Sequence, residues 1–301
     1  MDNPRILVLK RSGIAEVVLL GPFLRNLRAH WPSAHLAVAT DTAHTEALTL
    51  NPDVDRVLAL PWHLGSWPSF LRELRRPPWT HVFDFDSTRR TALLTRLTGA
   101  PFRLALPVGS RDLVPLSETY LGALAPAGVP LSSRDMRLEP READIADLRR
   151  MVGAAGPVLL VHPGSRSSDP VFEPRDFAAV CDRAQDELGV QVVLVGAPQD
   201  APLIADIRGR ASSHLLTLPQ APSLSRFAAL ARLSAVVLCR DGGPMHVAAA
   251  VGTPLVALGG PGYSDRMSPV GTGHVILRPP QEAYEVLAAV RAQLAQGALR
   301  T

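Results

Sequence analysis

The residues best suited to chemistry lie in a glycine-rich segment, residues 235–262, where a short helix separates two apolar runs. The runs at 236–239 and 254–258 are rich in β-branched residues, which predicts two buried strands of a parallel sheet. A helix at 245–251 would connect them, with Asp241 as its side-chain N-cap. Free backbone N–H groups at such a helix N-terminus favour an anion, so the segment predicts a phosphate or diphosphate site.

Two loops have the small residues that such a site requires. Gly242 and Gly243 precede the helix and let an anion approach the backbone closely. A second loop follows the predicted strand 158–161, where Gly164 and Ser165 begin a run of small and polar residues. A glycine-rich turn without a ligand is the alternative for either loop, because one glycine loop is a weak signal.

A third candidate lies near the N-terminus, where residues 5–9 predict a buried strand and residues 15–30 predict a helix. The loop between them lies at the carboxyl end of the strand, where ligands bind in parallel α/β sheets. Glu16 falls in the first helical turn. The helix dipole stabilises a carboxylate there, so a surface residue of that kind is the alternative to a functional role.

Two further segments each allow a functional and a structural interpretation. Asp84 and Asp86 end a predicted strand at 80–86, and an Asp-x-Asp pair holds a divalent metal in one class of enzymes. A strand that simply ends in polar residues needs no metal. Residues 61–79 predict an amphipathic helix with Trp and Arg, which suits either a membrane surface or packing on its own domain.

The composition is typical of a globular protein, with 47% hydrophobic and 20% charged residues in a chain of 301. A net charge of +3 gives no argument for a nucleic-acid partner. Cys181 and Cys239 lie in apolar patterns without metal or disulfide spacing, which fits a reducing cytoplasm. We expect no secretory signal and no run of the roughly 18–20 apolar residues that span a bilayer.

Two successive series of strands and helices divide the chain. The short Gly- and Pro-containing stretch at 153–157 is the best linker, so we predict domains at 1–153 and 157–301. Each has the alternating β-α pattern of a doubly wound, Rossmann-like parallel sheet. The predicted fold class is therefore α/β, with two Rossmann-like domains and a cleft between them. The terminal helix at 282–294 has the first domain as a candidate packing partner.

Four blocks of sequence span nearly the whole chain: residues 6–28 with 51–57, residues 84–106, residues 162–177 with 196–200, and residues 241–246 with 252–261. In this order they resemble glycosyltransferase family 9, the heptosyltransferases of lipopolysaccharide core assembly. The DGGPMH sequence at 241–246 is the most specific part. The resemblance implies the GT-B fold, in which the N-terminal domain holds the acceptor and the C-terminal domain holds the nucleotide sugar.

The resemblance also implies the residues that bind the donor. These are Gly164, Ser165, Asp200, Asp241, Gly242, Gly243, Met245 and His246. Gly164 and Ser165 would face the phosphates, and Asp200 would contact the adenosine part. The donor is then expected to resemble ADP-heptose, and neither a metal ion nor another cofactor is needed.

For the reaction itself, the resemblance implies that Glu16 is the general base and that the anomeric carbon is attacked directly, with inversion. On the acceptor side it suggests a group of polar residues from the first two blocks: Lys10, Arg11, Ser12 and Arg103. The acceptor is expected to be a lipopolysaccharide core or another lipid-linked or glycan molecule. The enzyme would be cytoplasmic, with peripheral contact to the inner membrane.

Three departures from the family pattern leave alternatives open. The chain has Glu16 where the family has Asp, and Gly242 where the family has a hydroxyl residue. Asp169 and Pro170 stand where the family has a Lys that supports the leaving group, so Arg166 is the nearest cation for that task. One alternative is a catalytically impaired relative that binds a nucleotide sugar or supports a partner enzyme. Another is a different nucleotide-sugar enzyme, such as an epimerase.

Overall fold

The computed structural model describes residues 3–11, 13–61, 63–76, 78–106, 114–153, 156–165 and 172–298. The chain divides into two compact units. Unit 1 comprises Met1–Arg137 and Asp265–Val270, and unit 2 comprises Leu138–Ser264 and Gly271–Thr301. None of the helices in the described residues combines the length and apolar character that a bilayer crossing requires.

Unit 1 is a parallel sheet with helices in the connections. Its strands are β1 (Arg5–Leu9), β2 (His35–Asp41), β3 (Arg56–Leu60), β4 (His81–Asp84) and β5 (Phe102–Ala105). Its helices are α1 (Ile14–Val18), α2 (Gly21–His30), α3 (Thr45–Thr49), α4 (Trp67–Leu74), α5 (Arg89–Leu97) and α6 (Leu116–Leu121). The strand order is β3-β2-β1-β4-β5, with parallel pairing throughout the described residues. The order reverses beside β1, and sheets of this type bind ligands at such a point.

The single helix predicted at 15–30 is two helices, so that prediction was wrong. α1 ends at Val18 and α2 begins at Gly21. Pro22 occupies the first turn of α2, where its missing N–H is tolerated; inside one continuous helix it would remove a hydrogen bond. Glu16 therefore lies on a helix of five residues rather than on a long one.

The amphipathic segment at 61–79 packs its apolar stripe on its own domain. Phe70 and Leu74 on α4 are buried, and Trp67 and Leu71 pack against the same core cluster. The indole N–H of Trp79 donates to the carbonyl of Leu74 at 2.6 Å. The stripe thus packs inside unit 1, as the structural interpretation of this segment predicts.

Unit 2 repeats the architecture. Its strands are β6 (Val158–His162), β7 (Gln191–Leu194), β8 (Leu216–Thr217), β9 (Val236–Arg240), β10 (Leu255–Leu258) and β11 (His274–Leu277). Its helices are α7 (Glu142–Val152), α8 (Pro174–Leu188), α9 (Ala201–Arg210), α10 (Leu224–Leu233), α11 (Gly243–Ala250) and α12 (Ala283–Ala298). In the described residues the strands pair in parallel in the order β11-β10-β9-β6-β7-β8.

The units differ from the predicted domains in three places. The predicted boundary at 153–157 lies inside unit 2, because α7 packs against α10 and Arg226 binds Asp147 at 2.7 Å. The segment Asp265–Val270 belongs to unit 1. The terminal helix α12 packs against α8, β9 and β10 of unit 2, where its buried face completes the core, and not on the first domain.

Candidate active site

Three charged side chains meet where β1 and β4 end. Lys10 directly follows β1, Asp86 follows β4 by two residues, and Glu16 lies in the first turn of α1. The Nζ atom of Lys10 forms an ion pair with the Glu16 carboxylate and lies 2.9 Å from Oδ1 of Asp86. Lys10 is 2% exposed and Asp86 is 7% exposed, whereas the Glu16 side chain is 30% exposed. Of the three, Glu16 is therefore the one that can meet a substrate.

The sheet register brings this cluster together. β1 pairs in parallel with β4, and Leu9 lies opposite Asp84, so the loops that follow both strands are neighbours. Oδ1 of Asp84 accepts the backbone N–H groups of Asp86 and Ser87, each at 3.0 Å, which forms the turn after β4. Oδ2 of Asp86 accepts the N–H of Arg11 at 2.7 Å.

The Asp-x-Asp pair thus has a structural explanation. Asp84 is fully buried and organises its turn, while Asp86 binds Lys10. Over the described ranges, no group of three or more His, Cys, Asp or Glu side chains is arranged to hold a metal ion.

A buried tyrosine adjoins the cluster. Tyr120 on α6 has no exposed surface, and its hydroxyl has no hydrogen-bond partner among the described residues. Burial raises the pKa of this hydroxyl, the negative charges of Glu16 and Asp86 raise it further, and Arg266 acts in the opposite direction. The hydroxyl therefore stays protonated. A single Tyr on a short helix carries no sequence signal, so Tyr120 could not be predicted as a neighbour of this cluster.

The remaining residues predicted on the acceptor side are only partly brought together. The side chain of Arg11 pairs with Asp41 at 3.4 Å beside the cluster. Ser12 lies outside the described residues. Arg103 is exposed on the edge strand β5, opposite Val82, and within the described part of the chain it forms no ion pair with the cluster. The prediction that Arg103 lies on the acceptor side stays a prediction.

In unit 2, the loop after β6 meets the turn after β7. Oδ2 of Asp200 accepts the N–H of Ala197 at 2.8 Å. A Cβ atom added to Gly164 would overlap the Asp200 carboxylate, and one on Gly196 would come within 2.8 Å of the Asp200 Cβ. Only glycines therefore fit around this carboxylate. Asp200 is 9% exposed, so it stabilises the turn and offers a ligand little surface.

The helix after β9 begins differently from the prediction. Its N-cap is Gly242, with φ 142° and ψ −160°, and no side-chain cap bond is formed in the described residues. The prediction that Asp241 is the N-cap was wrong, because the chain needs one more residue to turn from β9 into α11. This φ requires glycine, which explains why no hydroxyl residue stands at 242. Gly242 itself therefore offers no side-chain oxygen to the first N–H groups of α11.

Two residues that were predicted to bind the donor lie beneath the loop between β9 and α11. Met245 and His246 are each 1% exposed, so their side chains pack below the loop and present no surface to a ligand. Ser165, by contrast, is partly exposed at the end of the described loop after β6.

Burial lowers the pKa of two histidines in this unit. Desolvation lowers the pKa of His246 to about 4, and His246 Nδ1 has no hydrogen-bond partner in the described residues. Desolvation also lowers the pKa of His162, although the Asp200 charge opposes it. Both rings are therefore neutral at pH 7.

A pH titration of stability tests the state of His246. The unfolded chain binds a proton near pH 6.5, whereas the folded chain binds it only near pH 4. Between these values the unfolded state binds more protons, so stability falls as the pH falls. We expect the wild type to lose on the order of 3 kcal/mol more than His246→Leu across this window in urea denaturation. Equal losses in the two proteins would show that His246 does not titrate in this way.

Four residues named in the sequence analysis also follow Ser165 in the chain. Arg166, the predicted catalytic cation, lies outside the described residues, as do Asp169 and Pro170. Phe172, which stands in place of the Trp of the family, is 5% exposed and packs edge-on against Phe177, with ring centroids 4.8 Å apart. It belongs to the core of unit 2.

A cavity of about 560 Å³ opens at the ends of β7 and β8. Its walls come from the β7–α9 turn, the inner face of α9 and the loop before α10, and are mainly apolar. They include Gly196, Pro198, Ile204, Arg208, Thr217 and Pro222. A flat, mainly apolar group with a few polar atoms fits such a cavity, and a nucleobase has this chemistry.

Comparison with known proteins decides the family. A model described as glycosyltransferase family 9 (heptosyltransferase) matches residues 67–290, which is more than half of the chain. The chain belongs to glycosyltransferase family 9. Lipopolysaccharide heptosyltransferase 3 of Escherichia coli is 23% identical over 292 residues, which cover 88% of this chain and 83% of that protein.

Solved structures of family 9 members share the fold. The glycosyl transferase family 9 protein from Veillonella parvula DSM 2008 matches with a TM-score of 0.88 at 20% identity, and 98% of each chain is covered. ADP-heptose lipopolysaccharide heptosyltransferase II of Escherichia coli matches with a TM-score of 0.81 at 22% identity, covering 97% of this chain and 99% of the other. The predicted GT-B class, built from two parallel α/β domains, is confirmed.

Proposed function

We propose that this family 9 protein is an inverting heptosyltransferase that moves a heptose from an ADP-linked donor to a lipopolysaccharide core or similar glycan. The names of its relatives support the substrate class: one is a lipopolysaccharide heptosyltransferase, and another is named for ADP-heptose. The observation that carries the proposal is the partly exposed carboxylate of Glu16, anchored by a buried lysine at the ligand-binding end of the unit 1 sheet.

Glu16 is the proposed general base. Lys10 contacts its carboxylate from the buried side, and the exposed part of the carboxylate is left for the acceptor hydroxyl. In the reaction, the hydroxyl gives its proton to Glu16 while its oxygen forms a bond to the anomeric carbon. The bond from that carbon to the diphosphate oxygen breaks with inversion, and ADP leaves. Holding the two reactants in this geometry supplies much of the rate.

The donor is proposed to bind at the carboxyl ends of the unit 2 strands. The N-terminus of α11 and the glycines Gly242 and Gly243 suit the diphosphate, because the free N–H groups and the helix dipole favour negative charge. Gly164 and Ser165 lie at the end of the adjacent strand β6. The cavity beside the β7–α9 turn is the proposed base pocket, and Asp200 at its edge shapes the turn. Arg166 is the proposed cation for the leaving diphosphate.

The site is proposed to work without a metal ion and in the cytoplasm, where nucleotide sugars are made. Contact with the inner face of the membrane would follow from a lipid-linked acceptor. The apolar stripe of α4 does not support such contact, because it packs on the core of unit 1. A catalytically impaired protein is the second candidate, and the observation that favours it is the ion pair that already engages the Glu16 carboxylate.

Calorimetric titration with ADP, UDP and GDP in the presence of EDTA tests the donor site. We expect ADP to bind more tightly than UDP and GDP by about tenfold or more. A base that does not match the pocket leaves polar groups of the pocket without hydrogen-bond partners, and this lowers its affinity. Glu16→Gln is the matched control, since Glu16 lies in unit 1 and its change should leave ADP affinity unaltered. Equal affinity for the three nucleotides, or none, would contradict the proposed donor.

A transfer assay then separates the two candidate functions. The protein is incubated with ADP-heptose and a lipopolysaccharide that lacks heptose, and the gain of one heptose is followed by mass spectrometry. Transfer supports the enzyme. ADP binding without transfer supports the impaired relative.

A further inference from the structure

The helix that carries Glu16 is too short to keep its own position. α1 has five residues, and helices of fewer than roughly 12 residues are marginal in water without tertiary support. Its N-cap is Gly13, and in the described part of the chain no side chain caps that end. Val17 and Val18 are buried and anchor the C-terminal end of α1, so how Gly13 is held bears mainly on the first turn, where Glu16 lies.

The stem of the Glu16 side chain lies beside Gly13, so there is little spare room at this position. A Cβ atom on Gly13 would lie 3.4 Å from Cγ of Glu16, which is ordinary van der Waals contact, and φ of Gly13 is +79°. The Gly13 carbonyl accepts the N–H of Val17 at 3.0 Å, the first hydrogen bond of α1. A shift of Gly13 thus moves both the start of the helix and the side chain of Glu16.

A histidine from another loop holds Gly13. The Gly13 N–H donates to Nε2 of His44 at 3.1 Å, across 31 residues of chain. His44 lies in the turn after β2, and β2 is the neighbour of β1 in the sheet. The same two loops are joined again where the N–H of Asp41 donates to the carbonyl of Arg11 at 3.3 Å. Nε2 accepts this hydrogen bond only when it carries no proton.

We propose that His44 is a positioning residue for the base, acting on Glu16 through the backbone of Gly13. This inference rests on the function proposed for Glu16. Lys10 fixes the carboxylate end of Glu16, and the His44–Gly13 bond fixes the backbone end. Together they hold a base on a helix of five residues, where a displacement of 1 Å can lower the rate by about 10²-fold.

Two variants separate the hydrogen bond from the bulk of the ring. His44→Gln places a side-chain oxygen at about the reach of Nε2, and His44→Met has a similar length without a good acceptor. Both are made in the full chain. The measurements are amide hydrogen exchange at Gly13 and Val17, the ¹³C resonance of the Glu16 carboxyl, ADP affinity, and the kinetics of heptose transfer to heptose-free lipopolysaccharide.

We expect His44→Met to speed amide exchange at Gly13 about 5- to 10-fold, which corresponds to the net free energy of one hydrogen bond. The Glu16 resonance should shift, and kcat should fall about 10- to 100-fold while the donor KM changes less than about twofold. His44→Gln should restore all three readouts toward the wild type. ADP affinity should be the same in all proteins, because it depends on unit 2.

Unchanged exchange at Gly13 and an unmoved Glu16 resonance in His44→Met would overturn the inference, whatever the transfer assay shows. Faster exchange with an unchanged kcat, in a wild type that transfers heptose, would overturn it as well. If the wild type transfers no heptose but both spectroscopic readouts respond, the proposed function fails and the positioning of Glu16 by His44 stands.

Discussion

We expect the exchange of Glu16 for Gln to lower the rate of the proposed heptose transfer by about 10²- to 10⁴-fold, the usual contribution of a general base. Gln keeps the size of the side chain but cannot take the acceptor proton. ADP affinity should not change, because the residues proposed to bind the donor lie in unit 2. The measurement is single-turnover transfer from ADP-heptose, with ADP affinity measured by calorimetry on the same preparation.

Glu16→Asp is the informative control for this experiment. Asp is the residue that the family pattern has at this position, and it is shorter by one methylene. The Glu16 carboxylate is held in an ion pair with a buried lysine, so a shorter side chain that keeps this ion pair is expected to move the carboxylate toward Lys10. We expect Glu16→Asp to lie between the wild type and Glu16→Gln in rate. Full activity in Glu16→Gln would exclude Glu16 as the base.

Replacing Lys10 with Met should strongly lower the free energy of unfolding. Lys10 is 2% exposed, and its Nζ neutralises Asp86, which is 7% exposed. Met fills a similar volume but leaves the carboxylate of Asp86 buried without its cation. Removing one partner of a buried ion pair typically costs about 3–5 kcal/mol. Urea denaturation measures the loss, and heptose transfer should fall as well because Glu16 loses its anchor.

Two controls show whether that loss comes from the unpaired charge. Lys10→Met combined with Asp86→Asn removes both charges, keeps a side-chain oxygen for the N–H of Arg11 and should recover much of the stability, because no buried charge is then left unpaired. Arg183→Met breaks the exposed pair of Arg183 with Glu187 on α8 and should cost less than about 1 kcal/mol. A loss in Lys10→Met no larger than that in Arg183→Met would contradict the buried-pair explanation.

The apolar runs of the chain determined the strands and the class of fold. The strands predicted at 158–161, 236–239 and 254–258 correspond closely to β6, β9 and β10. Parallel strands covered on both faces are continuous apolar runs, and this pattern is local, so it can be recognised without the rest of the molecule. The glycine loops that follow these strands could be recognised for the same reason.

The pairing of the charged residues could not be predicted in this way. Lys10, Glu16 and Asp86 were each noticed, but Asp86 was grouped with Asp84 as a candidate metal pair. The contact between Lys10 and Asp86 spans 76 residues and exists because β4 lies beside β1 in the sheet. Strand order is a property of the tertiary structure. Only that order brings Lys10 next to Asp86, so the separate roles of Asp84 and Asp86 could not be recognised from the sequence.

The sequence by itself thus determined the family, the alternation of strands and helices, and the loops that end beside the ligand-binding edges of the sheets. The tertiary structure alone decided which side chains meet there. It placed His44 against Gly13, buried Tyr120 near Glu16 and Asp86, and assigned α7 to unit 2. Each of these depends on contacts between segments that are far apart in the chain, and such contacts leave no periodic pattern in the sequence from which they could be inferred.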